Sequence, residues 1–250
     1  MKRNGAASAA TENPITEGVI WKQLLLFFFP ILFGTFFQQL YNTADAIVVG
    51  RFVGKEGLAA VGGSTSTVIN LIVNFFVGLS SGSTVIISQY YGARREKRVQ
   101  QAVHTSIAFS ILFGLVLTVV GIIFAPAALR AMDTPEDILP DSVLYFRIYC
   151  AGLIPNLIYN MGAGILRAVG DSKRPLYFLI ASCFTNIVLD VLLVAGFSMG
   201  VAGAALATIA SQIVSAILVL AVLTRTKDMY RLSFKAIRIN SPILLRILQI

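Results

Sequence analysis

VIWKQLLLFFFPILFGTFFQQLYNTADAIV, residues 19–48, contains one acidic residue, Asp45, and one basic residue, Lys22. A run of this length and apolarity exceeds the roughly 20 residues that an α-helix needs to cross the hydrocarbon of a bilayer. A carboxylate at such depth costs at least about 2.5–3.5 kcal/mol on insertion scales. It therefore faces a protein-lined cavity and marks an ion or substrate path. Asp190 repeats the situation inside a second apolar run, Pro175–Phe197.

The whole chain shares this character. Of its 250 residues, 56% are hydrophobic and 13% charged, and the mean hydropathy is +0.79. These values lie far from those of a soluble domain and read as an all-α multi-pass membrane protein. Six windows qualify as spans: Val19–Val48, Leu58–Tyr91, Val99–Leu129, Val143–Leu166, Pro175–Phe197 and Val201–Thr224. The longer ones imply tilt, kinks or extensions beyond the lipid, and Pro30 is the expected kink of the first. The two cysteines and one histidine have no metal-ligand or disulfide spacing, so no cofactor or metal centre is expected.

The net charge of +8 does not read as nucleic-acid binding, because the cations cluster between apolar runs and there set orientation. Sixteen of the twenty Lys and Arg residues fall in the N-terminal stretch, the second-to-third and fourth-to-fifth connections, and the C-terminal stretch. Arg51, Lys55, Arg130 and Arg147 are left for the other side, with the acidic connection Asp133 to Asp141. The positive-inside rule then makes both ends of the sequence cytoplasmic. The expected organisation is a cytoplasmic arm over 1–18, six transmembrane helices over 19–224, and a basic cytoplasmic linker over 225–250. The arm lacks the residue order of a cleavable signal peptide. Phe234, Ile237 and Arg238 suit an interfacial helix. Asn240-Ser241-Pro242 reads as a helix start, so the sequence reaches Ile250 as a further apolar helix begins, as expected of one part of a longer protein.

Polar stripes run along several spans. Gln38, Asn42 and Asp45 share one face of the first with Tyr41, and Ser182, Asn186 and Asp190 recur every fourth residue in the fifth. The fourth carries Asn156, Tyr159 and Asn160, the second Thr67, Asn70, Asn74 and Ser81, and the sixth Thr208, Ser211, Gln212 and Ser215. In the second and sixth spans such groups read first as interhelical glue. The aspartates read as a coupling site, where a carboxylate in a hydrated chamber exchanges a proton or Na⁺. His104 reads as a helix-terminal residue, and Trp21 as an interfacial anchor. Arg147 is expected to snorkel or to pair with Asp141. An enzyme would need a nucleophile with a base or a metal set, and none is present in these stripes.

Four stretches together carry a family resemblance. They are Pro30 with Gln38 to Asp45 and Gly50-Arg51; Ser88 to Ala93; Leu166 to Pro175; and Asn186 to Asp190 followed by Gly200 to Thr208. In this order, residues 18–230 resemble the N-terminal lobe of multidrug and toxic compound extrusion (MATE) transporters, most like the bacterial DinF-like branch. The resemblance implies half of a twelve-helix, two-lobe fold in the bacterial cytoplasmic membrane. It implies export of cationic or amphipathic small molecules by antiport with H⁺ or Na⁺. It also implies that Asp45, Asp190, Asn186, Asn160, Tyr145 and Thr208 contribute to cation coupling, Na⁺ if used lying at the aspartates, and that the first helix bends at Pro30. Gln38, Tyr41, Asn42, Asn156, Tyr159 and Ser182 are the expected substrate-cavity residues. The expected partners are the substrate, the lipid bilayer and the C-terminal lobe of the same protein, without which this half should not transport. A flippase for lipid-linked precursors, which would favour several cations in the cavity, and a non-transporting membrane scaffold are the competing readings.

Overall fold

The computed structural model describes residues 20–249 and is built of helices; the expected N-terminal arm lies outside the described residues. Helix α1 (Ile20–Phe52) runs unbroken through Pro30, and the chain turns after it at Gly54, whose φ of 102° suits glycine. The second span is not one helix. It divides into α2 (Lys55–Gly62) and α3 (Ser64–Gly92) at Gly63, because the Gly62-Gly63 pair weakens the helical backbone there. Helix α4 (Glu96–Ala131) matches the third window with an extra turn at its start.

The fourth window is also divided, into α5 (Leu139–Ala151) and α6 (Leu153–Ala168), with Gly152 between them. Pro155 supplies no N–H to the first turn of α6. A β-carbon on Gly152 would run into the Ile209 side chain. Five stretches are thus long and apolar enough to span a membrane as continuous or nearly continuous helix among the described residues, and the α5–α6 pair makes the remaining traverse. Helix α7 (Lys173–Asp190) passes directly into a widened π-type segment, Val191–Gly196. There the Phe197 N–H reaches back five residues to the Leu192 carbonyl at 2.9 Å. Helix α8 (Gly200–Arg225) completes the bundle.

Short connections make successive traverses antiparallel. Helix α7 packs between α1 and α8, and α6 touches α3, α4 and α8. Two apolar cores form, one toward each end. The first joins Val48, Val49, Ala125, Leu129, Phe146 and Val201. The second, at the end where the basic turns lie, joins Ile87, Val103, Ile165, Val219, Leu223 and Leu232. The first half of α8 packs closely through small residues: Gly203, Ala204 and Ala207 are buried.

Beyond α8 the chain departs from the expected interfacial helix. Phe234–Ala236 forms a single 3₁₀ turn in a strap that lies back on α3 and α4. His104 is buried and anchors it. Its Nδ1 lies 2.6 Å from the Gln100 carbonyl, which can only accept, so Nε2 accepts the Ser233 N–H at 3.0 Å. Asn240 caps α9 (Ser241–Leu248), accepting from the Ile243 N–H, and Arg246 reaches the Tyr90 hydroxyl at 3.1 Å. His104 is therefore a docking residue for the strap. His104→Ala is expected to raise amide hydrogen exchange at Ser233 roughly three- to tenfold, the effect of losing one ordinary hydrogen bond. Unchanged protection would place the anchor elsewhere.

Candidate functional site

Between the two cores the bundle encloses a cavity of about 480 Å³. Pro30, Gln38, Tyr41, Asn42 and Asp45 enter it from α1, and Asn156, Tyr159 and Asn160 from α6. Tyr145, Ser182 and Thr208 line it too, as the sequence placed them. The polar stripes of four helices thus meet in one chamber. Asn160 Nδ2 donates to Asn156 Oδ1 at 2.9 Å, and Tyr159 donates to the Pro175 carbonyl at 3.2 Å, so the α6 stripe is tied along its own helix and across to α7.

Asp190 and Asn186 stand differently. Both are fully buried, at 0% exposure, and belong to the layer behind the wall. The Asp190 carboxyl lies against that of Asp45, which does reach the cavity, and Asn186 is its neighbour one turn back. The expectation that Asp190 faces the chamber is corrected on this point: it reaches the chamber through Asp45. The parallel packing of α1 and α7, the first and fifth traverses, produces the pair, since Asp45 lies late in one helix and Asp190 at the end of the other.

A ring of hydroxyls and amides surrounds the pair. Tyr41 faces Thr208 and Ser211, Tyr145 lies beside Asp45 and Thr208, and Tyr149 beside Gln212. The Tyr145 and Tyr149 rings stack at 6.4 Å. Asp45 Oδ1, both Asp190 oxygens, both polar atoms of Asn186 and Thr208 Oγ1 are buried without a hydrogen-bond partner among the described residues. Buried polar groups are costly when unpaired. Two adjacent carboxylates are costlier still unless a cation is shared between them. These oxygens are hard donors of the kind that take a proton or an alkali cation. Among the described residues no cluster of three His, Cys, Asp or Glu side chains could hold a transition metal.

Several cavity residues were read otherwise from sequence. Gln212 and Ser215 line the chamber although the α8 stripe was expected to glue helices. Ser211 of α8 does join helices, since its carbonyl accepts the hydroxyl of Ser182, a cavity residue of α7, at 2.9 Å. Of the second-span stripe only Asn70 lines the wall, while Asn74 and Ser81 are exposed elsewhere. Arg167 also lines it, although its sequence neighbourhood reads as a basic loop. Arg147 is exposed and donates to the Ile122 carbonyl rather than pairing with Asp141.

The MatE family profile matches residues 30–192, which hold both aspartates and most of the chamber. The chain belongs to the MatE family. The probable multidrug resistance protein YoeA of Bacillus subtilis (strain 168) is 35% identical over 212 residues, covering 83% of this chain and 46% of the relative. Among solved structures, the outward-facing conformation of a multidrug resistance MATE family transporter of the MOP superfamily matches with a TM-score of 0.86 and 28% identity, covering 97% of this chain and 54% of that one. The inward-facing conformation of a multidrug resistance MATE family transporter of the MOP superfamily matches with a TM-score of 0.78 and 30% identity, covering 85% of this chain and 48% of that one. The MatE chain spans about half the length of the relatives it matches. In fold it is a six-traverse helical bundle corresponding to one half of those transporters.

Proposed function

We propose that this MatE lobe is the ion-coupling half of a secondary active exporter of amphipathic small molecules, driven by H⁺ or Na⁺ and paired with a second lobe in the bacterial cytoplasmic membrane. The observation that carries this reading is the Asp45–Asp190 pair, with Asp45 in the wall of a polar chamber and Asp190 buried behind it, beside further unpaired polar atoms of Asn186 and Thr208. Relatives named as multidrug resistance and export proteins agree with it.

In this reading a proton or Na⁺ binds between the carboxylates, with Asn186, Thr208 and Tyr145 completing its surroundings. Binding removes the repulsion of two adjacent negative charges and so changes how tightly α1 is held to α7. Helix α1 is suited to respond. Much of its length is exposed, and Pro30 lacks the N–H that would tie it to the preceding turn. The bundle is oriented with its basic turns toward the cytoplasm, which places the carboxylates in the outer half of the membrane. Asp190 then lies ~24 Å above Lys173 and Arg174, counted at 1.5 Å per helical residue.

The test is efflux of a fluorescent amphiphile from vesicles containing the full-length protein, with pH and Na⁺ gradients imposed separately. Export under one gradient and not the other names the coupling ion. Equal export with both gradients collapsed refutes coupling.

A further inference from the structure

We infer that the basic end of the cavity is an anion subsite built on Arg167, and that compounds held by this lobe seat a carboxylate or phosphate headgroup there. The inference deepens the exporter reading above by naming a substrate class, and rests on that reading for the cavity's use.

Arg167, in the last turn of α6, is half-buried in the cavity wall beside Tyr159. Its nearest acidic residue in sequence is Asp171, which is engaged elsewhere. One Asp171 oxygen lies 3.3 Å from Arg174 Nε, and the other accepts the Arg174 backbone N–H at 3.1 Å. Among the described residues no carboxylate lies within ion-pair distance of Arg167. A guanidinium withdrawn from water without a counterion is costly, and a planar carboxylate or phosphate met by its fork of N–H groups offsets that cost.

The surroundings favour the same ligand. Ser172, buried, lines the cavity immediately before the first turn of α7, where helix N–H groups and the positive end of the helix dipole lie. The one carboxylate in the cavity wall, Asp45, stands at the far end. Helix α1 lines the cavity from Pro30 to Asp45, a length of ~22 Å at 1.5 Å per residue. Gly34 meets Leu179 of α7 in between, so Pro30 and Pro175 share the Arg167 end. Ile31, Leu176, Leu179 and Val73 make the intervening wall apolar. An anionic headgroup at Arg167 with an apolar body beyond it fits this layout and leaves the aspartates free for the coupling cation.

The experiment uses two probes that differ only at the headgroup, rhodamine B, which carries a carboxylate, and its methyl ester, which does not. Binding to the full-length protein in nanodiscs of neutral lipid is followed by fluorescence polarisation. Wild type is expected to bind the acid more tightly than the ester, and Arg167→Gln to lower the acid-to-ester affinity ratio roughly tenfold, the usual scale of a lost charge-assisted hydrogen bond. Arg167→Lys keeps the charge and is expected to retain most of the ratio, which also covers a Gln variant that fails to fold. A wild-type preference for the ester, or a ratio unmoved by Arg167→Gln, overturns the inference. Binding of neither probe by wild type overturns the exporter reading instead. Repeating the titration with phosphatidylglycerol in the nanodisc distinguishes the source of the anion. Competition that disappears in Arg167→Gln supports the subsite with a lipid headgroup as occupant, and absence of competition supports it with the free compound. Competition of equal strength in both proteins overturns Arg167 as the point of contact.

Discussion

Asp190→Asn in the full-length protein is expected to bring ion-coupled export down to the level of vesicles without the protein, while the amount of protein in the membrane stays near normal. The substitution preserves the shape of the side chain and removes its charge. It therefore tests the carboxylate and leaves no cavity of the kind Asp190→Ala would open. Asp190 is fully buried behind Asp45 and contributes no surface to the chamber, so equilibrium binding of a substrate probe should survive when transport does not. This split between binding and transport distinguishes a coupling group from a substrate contact. Asp45→Asn should also impair coupling and, because Asp45 reaches the chamber, should perturb binding as well. Drug resistance at the wild-type level in cells carrying Asp190→Asn would remove the coupling role.

The second large effect concerns packing. Gly162→Leu is expected to lower the melting temperature of the detergent-solubilised protein by roughly 2–12 °C. A β-carbon on Gly162 would lie 2.6 and 2.9 Å from the two methyl groups of Val219, and both residues sit deep in the core at the basic end. Neither neighbour has space to retreat, so α6 and α8 must separate. Overpacking of this kind costs about 1–3 kcal/mol, at about 2–4 °C per kcal/mol for a chain of this size. Gly78→Ala supplies the contrast. Gly78 is an exposed position in the interior of α3 where an added β-carbon meets nothing within 4 Å, so reduced freedom of the unfolded chain should raise stability by about 0.4–1 kcal/mol. Equal behaviour of the two variants would show that helix spacing is not fixed at Gly162.

The chamber was legible in the sequence to the extent that helical periodicity is. Gln38, Asn42 and Asp45 share a face because of their spacing, and that face does line the cavity. Periodicity names a face and leaves its depth open. Asp190 and Asn186 share a stripe with Ser182, yet Ser182 touches the cavity and the other two lie behind it. Their position depends on how closely α1 approaches α7, which no single segment encodes. Arg167 was obscured by its company, since Lys173 and Arg174 follow shortly after it; it belongs to the last turn of α6 and lines the cavity, while they begin α7 beyond the Gly170 turn and stay exposed. Tyr149 belongs to no polar stripe in the sequence, yet it lines the cavity and stacks on Tyr145. The breaks at Gly63 and Gly152 were hidden in apolar runs, because hydropathy counts side chains and both breaks are backbone events. Gly152 in particular answers to Ile209, a residue 57 positions away in the sequence.

Helix α7 changes its gearing just after Asp190. Up to that residue the backbone advances with four-residue closures. In the next turn the Phe197 amide closes on Leu192, five residues back. A loop of chain one residue larger than its neighbours holds slack, and taking up slack in a helix turns everything on one side of it relative to the other. Asp190 stands on that seam, so the pitch at the end of α7 sets the direction in which its carboxylate meets Asp45 behind the chamber wall.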